Sequence, residues 1–536
     1  MVQQNALLSV YHKTETFFNC ARSLAKAGVT LYASGGTAAK LAEAGIAVID
    51  IQTIVGEKVM DGRVSTLSRE IHAGLLARPG VETDLEALEK MGAPFFDIVY
   101  VDMYPLAEEI AKPDATEESV TRETDIGGPT MIRSAAKGRR IILTDELQLR
   151  AITDMIASGE EGASPETRRR LAANGEWTVA QYVATSAVYL SDGAYDAVFG
   201  ELVGPCKYGE NPYMTPAGLY RTDDEDPLAL HRFTAVEGDE RSFINLTDAD
   251  CLLQVLTHIA AGFDLNFNEV LPLMAVGVKH GNACGAAVGA DPVEVIRRMV
   301  AGDKRAIFGG VVMTNFPVTR EVAEALVEKA EDDPPRLFDG VFAPAFASDA
   351  TEVLKRYQGK CRMMANPALA VLDADSLDAA PRIRPVRGGY LRQPNYTFIL
   401  RLDESEVYGA ELTGQQERDI VLAWAVGCVS NSNTVTLVKD GQLIGNGVGQ
   451  QDRVGAAELA IKRALDAGHE TAYAVAWSDS FFPAPDGPTV LGEAGLTAIF
   501  ASSGSKRDAD TIATCERHRV TLLTQPDTVV RGFAKH

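Results

Sequence analysis

ALLSVY at residues 6–11 and VTLYASGGT at 29–37 are two short apolar runs, the second ending at a glycine pair. A helical segment is expected between them over roughly 14–27, and a second helix near Ala38, so the chain opens in a β-α-β-α rhythm. Strands linked through helices run the same way, which predicts a parallel sheet with covered faces. Gly35 and Gly36 accept backbone angles closed to other residues, and Thr37 adds a hydroxyl beside the amides of a helix start. Two readings are open there: a phosphate cradle, or a turn that serves geometry alone.

FDIVYVDMY (96–104) and RRIILT (139–144) read as further strands, and TRETDIGGPTMIRSAAKG (121–138) as a ligand-facing turn entering a helix. Glycine, proline and dense charge at 155–170 precede an aromatic-bearing helix at roughly 177–193, so a first domain is expected to end at about 195–200. Beyond it, helices are expected at 249–261, 291–301, 319–331 and 454–467, and strands at 271–278, 396–401, 433–439 and 473–477. No short-period repeat is visible.

A chain of 536 residues with 46% hydrophobic content is long enough for three or four compact units at about 100–200 residues each. Its formal charge of −23 argues against a broad nucleic-acid-binding face, so an anionic metabolite has to be held by particular residues. No cleavable leader and no run of about 18 apolar residues is present, which makes the cytoplasm the expected compartment and a membrane role unexpected. Seven scattered cysteines and eight scattered histidines form no CxxC or HExxH, so neither disulfides nor a metal site is expected. The acidic stretches RTDDEDP (221–227) and KAEDDPP (329–335) read as solvated loops.

GVKHGNACG at 277–285 sets Lys279 beside His280 among small residues. The ammonium can stabilise developing negative charge and an imidazole can move a proton near neutrality. The same pair is also accounted for as the solvated end of the buried strand LPLMAVGV (271–278). Cys284 is either a nucleophile or a small buried residue.

These blocks, with YASGGTAAKL (32–41), MDGRVSTL (60–67), DIGGPTMIRSAAK (125–137), KYGENP (207–212), SFINLTDA (242–249), IFGGVV (307–312), SNTVTLVKDGQLIGNGVGQQDRV (432–454) and SDSFFPAPDG (478–487), resemble the bifunctional purine-biosynthesis family. That family combines aminoimidazole-carboxamide ribonucleotide (AICAR) transformylase and inosine monophosphate (IMP) cyclohydrolase activities. The resemblance covers nearly the whole chain. It implies an α/β protein with a methylglyoxal-synthase-like domain at 1–198. A transformylase region at 199–536 follows, made of two cytidine-deaminase-like subdomains meeting near 370–390. It further implies a homodimer with shared transformylase sites, and 10-formyltetrahydrofolate as formyl donor to AICAR, giving FAICAR and tetrahydrofolate, without a catalytic metal.

By the same resemblance, Lys279 and His280 form the catalytic pair of the transformylase, and the Asn433 amide orients the formyl group and shares its oxyanion. Lys207 and Tyr208 stand where the family has Arg-Tyr, so charge is kept but the guanidinium fork is lost. Asn245, Phe308 and Gly309 shape the substrate site, Arg531 contacts phosphate, and Asp479, Phe481 and Phe482 wall the folate, although an FF pair is equally at home in a core. For ring closure of FAICAR to IMP, Ser9, Lys13, Ser34, Gly36, Thr37, Arg63 and Thr66 map to the nucleotide pocket, with Tyr104, Asp125 and Lys137 as its catalytic groups.

Departures cluster in that first pocket. Ser65 replaces a lysine, Ser68 and Arg69 replace His-Pro, and Asp102 replaces an asparagine. Asp102 is expected either to repel a phosphorylated substrate or to pair with Arg63 or Lys137, and Arg69 or another basic residue is expected to swing in if activity is restored. The tail RGFAKH (531–536) is one residue longer than the family pattern, which sets His536 apart. Three functions therefore follow from the sequence: the bifunctional enzyme, a transformylase or related ribonucleotide acyltransferase with an altered first domain, and a non-catalytic nucleotide-binding homodimer.

Overall fold

The computed structural model describes residues 4–56, 59–60, 64–159, 163–222, 225–238, 242–267, 269–328 and 336–533; Arg63, His536 and the stretch 329–335 lie outside them. The chain folds as two compact units, Met1–Phe199 and Gly200–His536. Two units rather than three or four result because the second is organised round one uninterrupted sheet.

Unit 1 holds strands β1 (Asn5–Val10), β2 (Thr30–Ala33), β3 (Ile49–Asp50), β4 (Ile98–Asp102) and β5 (Ile141–Leu143) in the order β3-β2-β1-β4-β5. Every neighbouring pair is parallel. The rhythm anticipated from the opening residues is set by local chemistry: Thr14 caps the helix Glu15–Lys26 by accepting from the Phe17 amide. The helix after β2 starts at Gly35, earlier than Ala38, because the glycine pair forms its first turn. The long helix Pro165–Leu190 also starts well before 177, with proline at its first turn and Ser164 as its cap.

Unit 2 carries a ribbon of β6 (Glu201–Cys206) and β7 (Ala217–Arg221), then β8 (Thr234–Glu237), β9 (Leu273–Lys279), β10 (Asn282–Gly289), β11 (Val311–Thr314), β12 (Gly340–Ala343) and β13 (Arg362–Ala365). A second ribbon, β14 (Arg382–Val386) and β15 (Gly389–Gln393), leads to β16 (Glu406–Tyr408), β17 (Val435–Lys439), β18 (Gln442–Gly447), β19 (Val475–Ser478), β20 (Ala498–Ser503) and β21 (Thr521–Pro526). Twelve of these make one mixed sheet, β16-β21-β20-β19-β17-β18-β10-β9-β11-β12-β13-β8.

Outward from the β10–β18 seam, each half runs third, second, fourth, fifth, sixth, first strand in chain order. Parallel and antiparallel pairings match step for step. The unit is thus one topology built twice. Each half places a long helix, Phe243–Asn266 or Gly414–Gly427, before its central hairpin. In β9, Met274, Val276 and Val278 face the core shared with these two helices, whereas Ala275 faces a second core under Pro292–Gly302. Both faces are covered, which explains the unbroken apolar run at 271–278.

Residues 396–401 form no strand. Their backbone is held by a side chain instead, with Asn266 Nδ2 donating to Leu400 O at 2.6 Å and Leu402 N donating to Asn266 Oδ1 at 2.8 Å. Among the described residues no helix is long and apolar enough to cross a membrane, and no two cysteines are bonded to each other.

The duplication is enforced by backbone contact between strand and helix. A Cβ on Gly285 would stand 2.1 Å from Met299 O, and one on Gly445 would stand 2.2 Å from Ala460 O. Gly285→Ala and Gly445→Ala should each destabilise unit 2 by about 1–3 kcal/mol, read as a lowered urea midpoint; an unchanged midpoint in both would show that the helices are free to move away.

Candidate functional site

The parallel sheet of unit 1 reverses its winding between β1 and β4, and a crevice opens beyond the carboxyl ends of strands at such a point. A cleft of about 1150 Å³ lies there, lined by Ser9 from β1, Ser34 and Gly36 after β2, Ser65 and Thr66, Tyr104 after β4, and Asp125. Gly127 and Gly128 begin the helix Gly127–Lys137; a Cβ on either would come within 2.4 Å of Thr66 Oγ1 or Asp125 Oδ2, so the close approach requires glycine. Asp125 Oδ1 accepts from Gly128 N at 2.9 Å, and Tyr182 Oη accepts from Asp125 N at 2.7 Å while donating to Glu123 O at 3.2 Å. Burial raises the pKa of the Asp125 carboxyl and of the Tyr104 phenol.

Several expected pocket residues stand elsewhere. The Thr37 hydroxyl is 3.2 Å from both Val10 N and Val10 O, joining the helix start to β1 rather than facing a ligand. Lys13 Nζ donates to Val10 O at 2.7 Å and Tyr11 O at 3.0 Å, and burial lowers its pKa. Lys137 is exposed in the last turn of its 11-residue helix, about 16 Å along the axis from the cleft end. Asp102 Oδ2 accepts from His12 N at 2.6 Å and lies 3.1 Å from His12 Nδ1, and it does not pair with Lys137; the expected partner Arg63 lies outside the described residues.

In unit 2 the catalytic candidates sit on a left-handed hairpin turn. His280 has φ 53° and Gly281 φ 70°, repeated by Asp440 at 52° and Gly441 at 73°, so KHGN and KDGQ are the same tight turn in the two halves. Asp248 from the long helix accepts from Gly281 N at 2.7 Å; Asp419 does the same in the copy, accepting from Asp440 N at 2.7 Å and Gly441 N at 2.6 Å. Burial pushes the Asp419 carboxyl up to about 6.

Lys279 Nζ donates to Phe308 O at 2.5 Å, next to Gly309 at φ 72°. Asn245 acts behind this segment: its Nδ2 donates to Asp339 O at 2.8 Å, and Asp339 N donates to Gly310 O at 3.0 Å. Phe308 is 44% exposed, leaving a ring face for a planar base. Lys279 and His280 line a cavity of about 460 Å³ together with Asn282, Cys284, Asp303 and Arg463. Burial pushes the Cys284 thiol up to about 12 and its Sγ donates to Gly277 O at 3.5 Å, which favours the packing reading of this residue over the nucleophile.

The seam explains why this end is open. β10 and β18 pair at Ala287↔Gln442; the counterpart under the duplication, Asn282 with Gly447, is not part of the ladder. The corresponding cleft in the copy, about 470 Å³, sets Lys439, Arg298 and His469 against Glu294, Asp440 and Glu470. Charge therefore separates the two clefts, and the one at His280 is the one suited to an anionic ligand.

Asn433 belongs to a second group. Its Nδ2 donates to Gln450 O at 2.9 Å and its Oδ1 accepts from Arg453 Nη2 at 2.8 Å. Arg453 also donates to the Asp479 carboxylate and to Ser478 Oγ at 3.2 Å. The Asp479 side chain is fully buried, and its Oδ2 has no hydrogen-bond partner among the described residues. Arg531 pairs with Asp527 and stands 6.0 Å from the centre of the half-buried Phe481 ring. Phe482 is 2% exposed and packs in the core, beneath the site rather than on its wall. Arg453 was missed from sequence; the signal was an arginine opening a helix behind its Asp452 cap, three residues after the glycine-rich GNGVGQ (445–450).

The Asn433 group does not line the Lys279–His280 cavity, and Lys207 and Tyr208 follow β6 at the ribbon end. The single chain thus presents its candidate residues in separate clusters. Asp248→Ala should leave unit 2 folded while amide exchange across 279–282 speeds up at least about tenfold; unchanged protection would show that the carboxylate does not anchor the turn.

Comparison with known proteins matches both units. Residues 135–463 match the model of the AICARFT/IMPCHase bienzyme, and residues 16–130 match the MGS-like domain. The chain is 34% identical over 547 residues to the bifunctional purine biosynthesis protein PurH of Bacillus cereus (strain AH187), covering 100% of both chains. PurH of Bacillus anthracis (strain CDC 684 / NRRL 3495) is likewise 34% identical over 547 residues, with 100% of each chain covered. The solved structure of ForH is 28% identical, covers 34% of this chain and 97% of its own, and superposes with a TM-score of 0.31. With its full length matched at 34% identity and the family model matched over residues 135–463, the chain belongs to the AICARFT/IMPCHase bienzyme family.

Proposed function

We propose that unit 2 transfers the formyl group of 10-formyltetrahydrofolate to the 5-amino group of AICAR, and that the unit 1 cleft closes the resulting FAICAR to IMP. The observation carrying the first step is the rigid turn that presents Lys279 and His280 together at the mouth of a cavity. The aromatic amine is a poor nucleophile, so a base must take its proton as the new C–N bond forms. His280, exposed at the apex of the turn, serves as that base. Lys279, oriented by Phe308 O, brings positive charge to the developing oxyanion.

The folate fits the second cluster. The unpartnered, buried Asp479 Oδ2 offers an acceptor to a ring N–H, and the half-buried Phe481 offers a ring face. The cosubstrate supplies an activated formyl group; Asn433, fixed by Arg453, orients its carbonyl. Because these groups and the Lys279–His280 cavity are separate within one chain, we assign their meeting to a homodimer in which each site draws on both copies.

In unit 1 the amide and formyl groups react within one molecule, so orientation does most of the work. Thr66, Tyr104 and Asp125 supply the polar wall, and Asp125 is held in place by Gly128 N and Tyr182. Ser65 favours a second reading in which this step is lost, because a hydroxyl cannot replace an ammonium.

His280→Ala should lower kcat for tetrahydrofolate release from AICAR and 10-formyltetrahydrofolate by about 10²–10⁴-fold, with closure of supplied FAICAR unchanged. A loss smaller than threefold would remove His280 from the chemistry.

A further inference from the structure

The unit 1 cleft lacks the cation that the resemblance places at Ser65, yet positive charge enters it from another element. Lys13 is tied to two carbonyls, Lys137 stands at the far end of its helix, and Arg63 lies outside the described residues. Arg69 pairs with Glu70 at 3.6 Å and does not line the cleft. Among the described residues, Arg122 is the one lysine or arginine that does.

Arg122 ends the helix Glu117–Arg122, where the terminal carbonyls favour a cation. Its Nε is 3.8 Å from Glu123 Oε1, a long contact on a side chain that is 69% exposed. Such a pair holds the guanidinium weakly, so a better anion displaces the carboxylate at little cost. The backbone that carries it is firm: Thr116 and Ser119 form a capping box at the helix start, and Tyr182 bridges Glu123 and Asp125 just beyond its end. The other charged lining residues are Glu117, Glu118 and Asp125, so an incoming phosphorylated ligand meets carboxylates and needs this guanidinium to offset them.

We propose that Arg122 holds the anionic ribonucleotide in the unit 1 cleft, supplying from the end of the helix Glu117–Arg122 the charge that Ser65 does not. This rests on the cyclohydrolase reading above. A guanidinium keeps its charge across the whole working pH range, and its planar fork suits phosphate oxygens.

The test uses the full chain as wild type, Arg122→Ala, Arg122→Lys and the double variant Arg122→Ala/Ser65→Lys. KM for synthetic FAICAR in ring closure and calorimetric binding of IMP are measured for each, with AICAR formylation by unit 2 as the check on folding. Arg122→Ala should raise KM at least tenfold, with a smaller change in kcat, and remove one equivalent of IMP binding per chain. Arg122→Lys should fall between it and wild type, and Ser65→Lys should restore part of the loss. Wild-type KM and IMP binding in Arg122→Ala would overturn the proposal. Wild-type protein that binds IMP without accelerating closure would sink the cyclohydrolase reading and leave Arg122 to the binding comparison. Wild-type protein that binds no IMP in unit 1 would sink both.

Discussion

A carboxylate projecting from a buried helix into the amides of a left-handed hairpin turn is the contact on which unit 2 depends. Asp248 makes it beneath His280–Gly281, and Asp419 makes it beneath Asp440–Gly441. A turn with two consecutive positive φ values leaves amide donors pointing inward, and a buried donor without an acceptor is costly. Fixing the turn fixes the register of the hairpin behind it, and through the seam the register of both halves. It also aims two consecutive side chains, Lys279 and His280, away from the core while the backbone between them stays rigid.

Duplication supplies two such turns, and small departures from symmetry give them different surroundings. At one, imidazole follows lysine and the seam is bridged by Asn446 Nδ2 donating to Ala283 O at 3.0 Å in place of a ladder pair; at the other a carboxylate follows lysine, and glutamates share the cleft. A phosphorylated substrate and a developing oxyanion are both negative, so the first environment favours them and the second opposes them. The proposed chemistry is placed where the copy is imperfect.

Much of this was legible in the sequence. The strand-helix alternation of unit 1 followed from ALLSVY, VTLYAS and the caps between them, because each element is specified by neighbours close in the chain. The Lys279–His280 turn showed itself through glycine and polarity. What stayed hidden depended on distant partners. Thr37 looked like a phosphate ligand until Val10 took its hydroxyl, and 396–401 looked like a strand until Asn266 bound its backbone. Arg453 meets Asn433 and Asp479 only in the fold, and Arg122 lines a cleft assembled from five separate segments. The twofold design was expected from the resemblance alone, because its halves share topology while little more than a K-x-G turn repeats at comparable positions in the residues themselves.

The claim that one of the two equivalent turns is the transformylase turn is tested most directly by removing the same side chain from each. Tetrahydrofolate release from AICAR and 10-formyltetrahydrofolate is to be compared between Lys279→Ala and Lys439→Ala under identical conditions. The account predicts a loss of at least about 10²-fold for the first and a rate within about twofold of wild type for the second. Equal losses, or the larger loss at Lys439, would contradict it.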